Sequence, residues 1–404
     1  MSKLAYSKHD LANQTESATK WLLESEIRNS NEKHPETFGS INNYYNTRGR
    51  TCPYAYTEIT AYSVELFLDL YSRTQDPRYL HCAKLAGDWI THMQYQGDDE
   101  RALGSFPYHY IIPDGPKSTK SYTFDAGICI GALSELYRKT SDQKYLKAAT
   151  AGANWLISQM QNPDGSFAPS YDLQTQKTKV NQKHYMLPSF LSTRFNWYEA
   201  SGIHHSKIII GLLKTHEVNG RAEKILNSAR QLIHWTLLQQ ESTGRFKVNT
   251  NNEWTFTHTH CYATEGLLFA YSKLGDEKCA GAADRACSWL TAFQKSNGSI
   301  PDWIRNTTAT PTIDLSAIAQ AVRLWCINYK LTRNEQYRKS INKAVNYLLT
   351  MQDPSGGFHL TRIEIGPLRY KLPRLYSWST IFAIHAFNLI DDLEKDKINT
   401  SHLW

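Results

Sequence analysis

Long apolar runs, paired cysteines and clusters of one charge are all missing from this chain of 404 residues. Nowhere do eighteen apolar residues stand together, so no membrane-spanning helix is expected. The opening stretch MSKLAYSKHDLANQTES carries no apolar signal core, which makes a cytoplasmic location the expectation. The seven cysteines are odd in number and form no CxxC pair. Cys129, Cys287 and Cys326 fall within helical patterns, so buried thiols are expected in place of disulfides or a zinc site. Without HExxH or zinc-type His/Cys spacing, neither a metal nor another cofactor is expected. Lys and Arg are scattered under a formal charge of +7, which argues against a dedicated nucleic-acid surface. The alternation that would announce a β-strand is absent as well.

What is present suits a large core: 41% hydrophobic and 12% aromatic residues, well above the composition of a disordered chain. The core is built by repetition. Within Trp254 to Ile300, Ala263, Leu267, Ala270, Tyr271 and Leu274 recur at helical spacing, and a Gly-Asp-Glu turn follows. A second helix then returns with Ala282, Ala286, Trp289, Leu290 and Phe293 on one face. Two helices joined so tightly lie antiparallel. The same hairpin recurs along the chain, and the count reaches twelve helices. The expectation is an all-α (α/α)6 toroid spanning residues 1–390, with 391–404 as a frayed tail. Segments such as AGICIGALSEL, KIIIGLL and SAIAQAVRLWCI are apolar on most sides and read as inner helices. The Trp-bearing segments have one wet face and read as outer. Gly127, Gly131 and Gly266 would let neighbouring inner helices approach closely.

Loop lengths locate the functional end. Inner-to-outer turns are short and outer-to-inner loops long, so a site is expected at the N-terminal ends of the inner helices. Glu58, Asp125, His260, Tyr262 and Asp314 converge there as candidate catalytic groups. Around them stand candidate substrate contacts: Tyr56, Tyr122, Arg194, Trp197, Tyr198, His204, His258, Glu265, Trp303, Arg374, Tyr376 and Trp378. Aromatic faces stack on sugar rings, carboxylates and His hold hydroxyls, and Arg grips carboxylates with two parallel hydrogen bonds. Glycosidic cleavage needs two carboxyl groups, one held protonated, and Glu58 with Asp125 can supply them. Proton abstraction beside a uronate would instead use His260 or Tyr262 as base, with Arg194 or Arg374 on the acid group. Plainer readings compete. Asp125 and Asp314 stand where helix N-caps stand, and the His258/His260 pair can brace the funnel as readily as line it.

The endings AGANWLISQMQNPDGSF, AVNYLLTMQDPSGGF and ACSWLTAFQKSNGSI resemble the Gln-Trp repeats of squalene cyclases and prenyltransferase-like toroids. The turns DPRYLHCAKLAGDWI and DQKYLKAATAGANWL look equally like six-hairpin glycosidases. A squalene-type cyclase would need a DxDD cluster, and a zinc toroid a Cys/His set; the chain has neither. HYMLPSFLSTRFNWYEASGIHHSK is similar to part of the glucuronyl epimerases, which implies binding roles for Arg194, Tyr198 and His204. THTHCYATEGLL looks like toroids of bacterial surface-polysaccharide synthesis. Together these imply an enzyme that processes a uronate-containing oligo- or polysaccharide, as hydrolase, lyase or epimerase. The alternatives are a terpenoid-cyclase-like enzyme and a non-catalytic glycan-binding protein.

Overall fold

The computed structural model describes residues 7–112, 115–179, 197–249, 252–399 and 402–403. Helix α1 (Lys8–Glu24) stands first. Five hairpins follow: α2 (Thr57–Thr74) with α3 (Pro77–Met93), α4 (Thr123–Thr140) with α5 (Gln143–Trp155), α6 (Ile208–Val218) with α7 (Glu223–Leu238), α8 (Thr257–Leu274) with α9 (Glu277–Ala292), and α10 (Leu315–Thr332) with α11 (Glu335–Leu349). Helix α12 (Ser377–Glu394) ends the series and packs on α1. The even-numbered helices touch in sequence and α12 meets α2, which closes an inner ring. The architecture is thus the expected (α/α)6 toroid. No helix among the described residues is long and apolar enough to cross a membrane.

Burial follows the periodicity. In α10 every residue from Leu315 to Tyr329 is buried, as an inner helix walled on all sides requires. In α11 only one face is buried, through Tyr337, Ile341, Ala344, Val345 and Leu348. Helices α4 and α6 approach backbone to backbone: a Cβ on Gly211 would lie 2.0 Å from the Gly127 carbonyl oxygen. The short turns between inner and outer helices are set by caps. Asp76, Asp142, Asp276 and Asn334 each accept a hydrogen bond from the amide two residues on.

A repeated clamp holds the outer ring. Gln94, Gln161, Gln240, Gln294 and Gln352 follow outer helices, and each donates from Nε2 to the carbonyl of a glycine in its own loop. The same amide also reaches a carbonyl of the next outer helix: Ala148, Ser228, Ala282, Ser340 and, across the closure, Gln14 of α1. The glycine is left-handed each time and pressed on that neighbour; a Cβ at Gly356 would lie 2.3 Å from the Ser17 carbonyl oxygen. The Gln-rich endings therefore encode helix-to-helix stapling.

Two expectations are corrected. Strands do occur: the described residues form five small antiparallel sheets of two or three strands. Strands of two to five residues are too short to show alternation, and the long loops pair because their backbone groups need partners. The tail does not fray where it is described. Helix α12 runs to Glu394, Leu403 is fully buried, and His402 Nε2 lies 3.3 Å from Asp69.

Candidate active site

Strand-to-helix junctions decide what faces the mouth of the ring. Five inner helices start directly from a strand, and four of their N-caps are aromatic. Tyr56, Tyr122, Phe256 and Tyr376 cap α2, α4, α8 and α12 without any side-chain hydrogen bond to the helix. Ser, Thr, Asp or Asn is favoured there, because an oxygen satisfies an orphan amide. Here that stabilisation is given up for rings at the rim. Only Asp314 caps its helix, accepting from the amides of Ser316 at 2.8 Å and Ala317 at 3.4 Å. The cap reading is realised for Asp314. It fails for Asp125, which lies inside the first turn of α4.

The rim aromatics form a continuous arc. Trp378 meets Tyr376 at 4.6 Å between ring centroids, Tyr376 meets Tyr44 at 5.1 Å, and Tyr44 meets Tyr54 at 6.5 Å. The series continues through Tyr56 at 6.0 Å, Tyr108 at 5.6 Å, Tyr122 at 4.9 Å and Tyr198 at 5.1 Å. Most of these rings are half-buried. Across the mouth Trp303 stacks on Phe256 at 4.6 Å and is itself buried.

Inside the arc lie two carboxyl groups. Glu58 is in the first turn of α2, and Asp125 is in the first turn of the adjacent α4. Burial raises Glu58 from its ordinary 4.5 to about 7, with Lys207 and the Tyr62 hydroxyl pulling the other way. Asp125 is pushed well above the carboxylate range, first by burial and then by the charge of Glu58, against a hydrogen bond from Tyr56. Its side chain is buried, and Oδ2 has no hydrogen-bond partner among the described residues. A desolvated acid beside a half-buried carboxylate is the arrangement that holds one proton in place at neutral pH.

Beneath the pair is a fully buried ion network. Glu265 accepts from Lys207 Nζ at 2.7 Å, from Gln320 at 3.3 Å and from Arg323 Nη2. Arg323 Nη1 lies 3.0 Å from His385 Nδ1. The Lys207 ammonium also sits over the rings of Tyr62 at 4.8 Å, Tyr262 at 4.7 Å and Phe382 at 5.2 Å. Burial lowers the Lys207 pKa to about 8, and Glu265 offsets part of that shift. Sequence reasoning missed Lys207, Arg323, Tyr62 and His385. The signal was there, since a charge inside KIIIGLL or SAIAQAVRLWCI contradicts the apolar pattern and needs a buried partner.

The other candidates divide. Tyr262 lies on the floor, its hydroxyl 3.4 Å from that of Tyr62 and its ring between His258 and Phe124. His258 Nδ1 is 3.1 Å from Ser316 Oγ, which donates to Asp314 at 2.5 Å. Burial pushes His258 down to about 3, with Lys207 adding to the shift. His204 is buried behind Phe124, its ring 5.6 Å away. His260 is a correction. Its Nε2 faces the Ala286 carbonyl of α9 at 3.1 Å, its Nδ1 accepts from the Phe246 amide at 3.2 Å, and its ring packs on Trp289. It braces inner helix to outer helix and does not reach the mouth. Glu265 is a second correction, being wholly enclosed by its ion network and out of reach of a substrate. Arg374 is exposed at the rim, and the Tyr122 hydroxyl donates to Glu199 at 3.3 Å. Arg194 lies outside the described residues, as does the side chain of Trp197. Among the described residues no group of three or more His, Cys, Asp and Glu could hold a metal ion.

Comparison with known proteins extends this picture. Residues 45–201 match the pattern of Glycosyl hydrolase family 76, a span that holds Glu58 and Asp125. Residues 302–361 match that of Pectic acid lyase. No curated protein matches the chain. Among solved structures, a D-mannose isomerase aligns with TM-score 0.75 and 12% identity, over 98% of this chain and 100% of that one. A cellobiose 2-epimerase from Bacillus thermoamylovorans aligns with TM-score 0.72 and 13% identity, over 95% and 99%. An unsaturated glucuronyl hydrolase specific for heparin aligns with TM-score 0.64 and 13% identity, over 97% and 100%. Likeness at such low identity is likeness of fold. In fold, the chain is similar to these sugar-enzyme structures, and residues 45–201 are similar to Glycosyl hydrolase family 76.

Proposed function

We propose that the chain is a carbohydrate-active enzyme that hydrolyses glycosidic bonds, with Asp125 as general acid and Glu58 as base. The observation that carries this reading is the carboxyl pair itself: Asp125 kept protonated by burial and by the charge of Glu58, and Glu58 drawn toward ionisation by Lys207. Asp125 gives its proton to the departing glycosidic oxygen while Glu58 takes one from the attacking water. The aromatic arc supplies stacking faces for the flanking sugars, and the match to Glycosyl hydrolase family 76 over residues 45–201 supports the same chemistry. Incubation with neutral and acidic oligosaccharides tests it. New reducing ends and a mass gain of one water are expected, with turnover falling about a thousandfold in D125N. Wild-type enzyme that cleaves no member of the panel overturns the reading.

A second reading has its own support. Asp314, Ser316 and His258 form a chain of hydrogen bonds that could orient an imidazole for proton abstraction from a sugar carbon. The structural likeness to an isomerase and an epimerase favours it. An imidazole held near 3 is a weak base for a carbon acid, which keeps hydrolysis ahead. Deuterium uptake from heavy water into otherwise uncleaved sugar would reverse that order.

A further inference from the structure

Three arginines at one edge of the mouth take no part in the chemistry above. Arg374 is the first residue of the strand Arg374–Tyr376, which pairs with Tyr44–Asn46. Its guanidinium lies 4.8 Å over the Tyr44 ring, with Nη1 3.4 Å from the Tyr376 hydroxyl. Residues two apart on a strand share a face, so Arg374 stands on the face that carries the arc. Beside it the chain turns tightly from Asn46 to Thr51. The Asn46 side chain accepts from the amides of Arg48 at 3.1 Å and Gly49 at 3.2 Å, and its carbonyl accepts from Arg50 at 2.8 Å. That turn presents Arg48 and Arg50 to solvent, and Arg48 Nη2 reaches the Tyr370 hydroxyl at 3.2 Å.

None of the three pairs with a carboxylate among the described residues. Some exposed arginines elsewhere do, such as Arg78 with Asp76 at 2.7 Å, Arg138 with Glu135 at 2.7 Å and Arg369 with Glu364 at 2.8 Å. A guanidinium held over a ring is positioned without being neutralised, and its remaining N–H groups suit a planar carboxylate. The floor carries Glu58, whose negative charge, when ionised, repels a second anion at the reacting sugar. An acidic sugar is therefore best held away from the carboxyl pair, and Tyr44, Tyr54 and Tyr56 lie between Arg374 and Asp125.

We propose that Arg48, Arg50 and Arg374 form a distal subsite for the carboxylate of a uronic acid, and that an acidic glycan chain runs from there along the arc. The ligand class rests on the sugar-enzyme reading; the site itself rests on the arginines. The test is calorimetric binding to the full chain carrying D125N, so that ligand persists. The probes are a linear oligomer of galacturonic acid and its fully methyl-esterified form. The free acid should bind about tenfold or more tightly than the ester, and R374A or the R48A/R50A pair should each remove most of that difference. R374K, which keeps charge but loses the fork, should recover only part. The control K278A, on an exposed face of α9, should change nothing. Equal affinity for acid and ester, full recovery by R374K, or an equal loss in K278A would each overturn the subsite. Binding is read without turnover. A chain that binds the acid but cleaves no sugar would sink the hydrolase reading alone.

Discussion

The two ends of the inner ring hold the same kinds of group and use them differently. At the base, Glu65 meets Lys214 at 2.6 Å, Asp69 meets Arg73 at 2.9 Å, and Glu135 meets Arg138 at 2.7 Å. Arg73 also bridges to Asp392 of α12 at 2.6 Å, tying the last inner helix to the first. At the mouth, Asp125 is as deeply buried but has no such cation among the described residues, and Glu58 feels Lys207 through space. Burial raises Glu65 to about 7, the same value reached by Glu58. A raised pKa therefore does not distinguish the ends. Partner inventory does: carboxylates with cations at 2.6 to 2.9 Å are structural, and carboxyls buried without one are kept at a cost that function must justify.

That contrast breaks most visibly in stability. K214M leaves the Glu65 carboxylate buried without its 2.6 Å partner, and loss of one member of such a pair costs about 3–5 kcal/mol. E58Q removes a charge that burial disfavours and should cost less than about 1 kcal/mol, or stabilise. Denaturant midpoints decide; an E58Q chain as destabilised as K214M would place the two ends in one class.

The pH dependence sharpens the same point. Glu58 is raised in the folded chain from 4.5 to about 7, and Asp125 is raised well above its ordinary range by burial and the charge of Glu58. Between those values the native state binds more protons than the unfolded chain, so stability falls as pH rises through the window. Glu65 contributes in the same direction. D125N and E58Q should each flatten the fall measured by denaturant midpoint from about pH 5 to pH 8. In wild type the acidic limb of kcat/KM should lie near 7, belonging to the coupled pair rather than to Glu58 alone. A steep fall in stability that survives in both variants would assign the effect to the base.

The ring of helices was legible because its signal is long: helical spacing sustained over ten or more residues, broken by capped turns. Glu58 and Asp125 read from the sequence as carboxyls near helix starts, and they lie in the first turns of α2 and α4. The histidines misled for a geometric reason. Residues two apart on a helix point roughly 200° from each other, so His258 and His260 cannot both face the funnel, and only packing tells which does. Trp289 on α9 settled it by taking His260. The rim sheets were illegible because each strand finds its partner in a distant loop, such as Tyr44 opposite Tyr376. Lys207 and Arg323 went unread because an inner-helix pattern draws the eye to apolar residues, while Glu265, which neutralises both, lies on another helix.

The smallest expected effect concerns the arc. Trp378 ends the series and meets it at Tyr376, 4.6 Å between ring centroids. Trp378 is not among the groups that shift either carboxyl of the pair, so W378A should act on binding and not on the chemical step. Loss of one stacking face is worth about 0.5–1.5 kcal/mol, which predicts a rise in KM of about three- to tenfold with kcat held. The effect should grow with the length of the oligosaccharide, because only a longer chain reaches the end of the arc. A fall in kcat with the shortest cleaved sugar would mean that Trp378 shapes the reacting centre itself, and the division between a binding arc and a catalytic floor would have to be redrawn around α12.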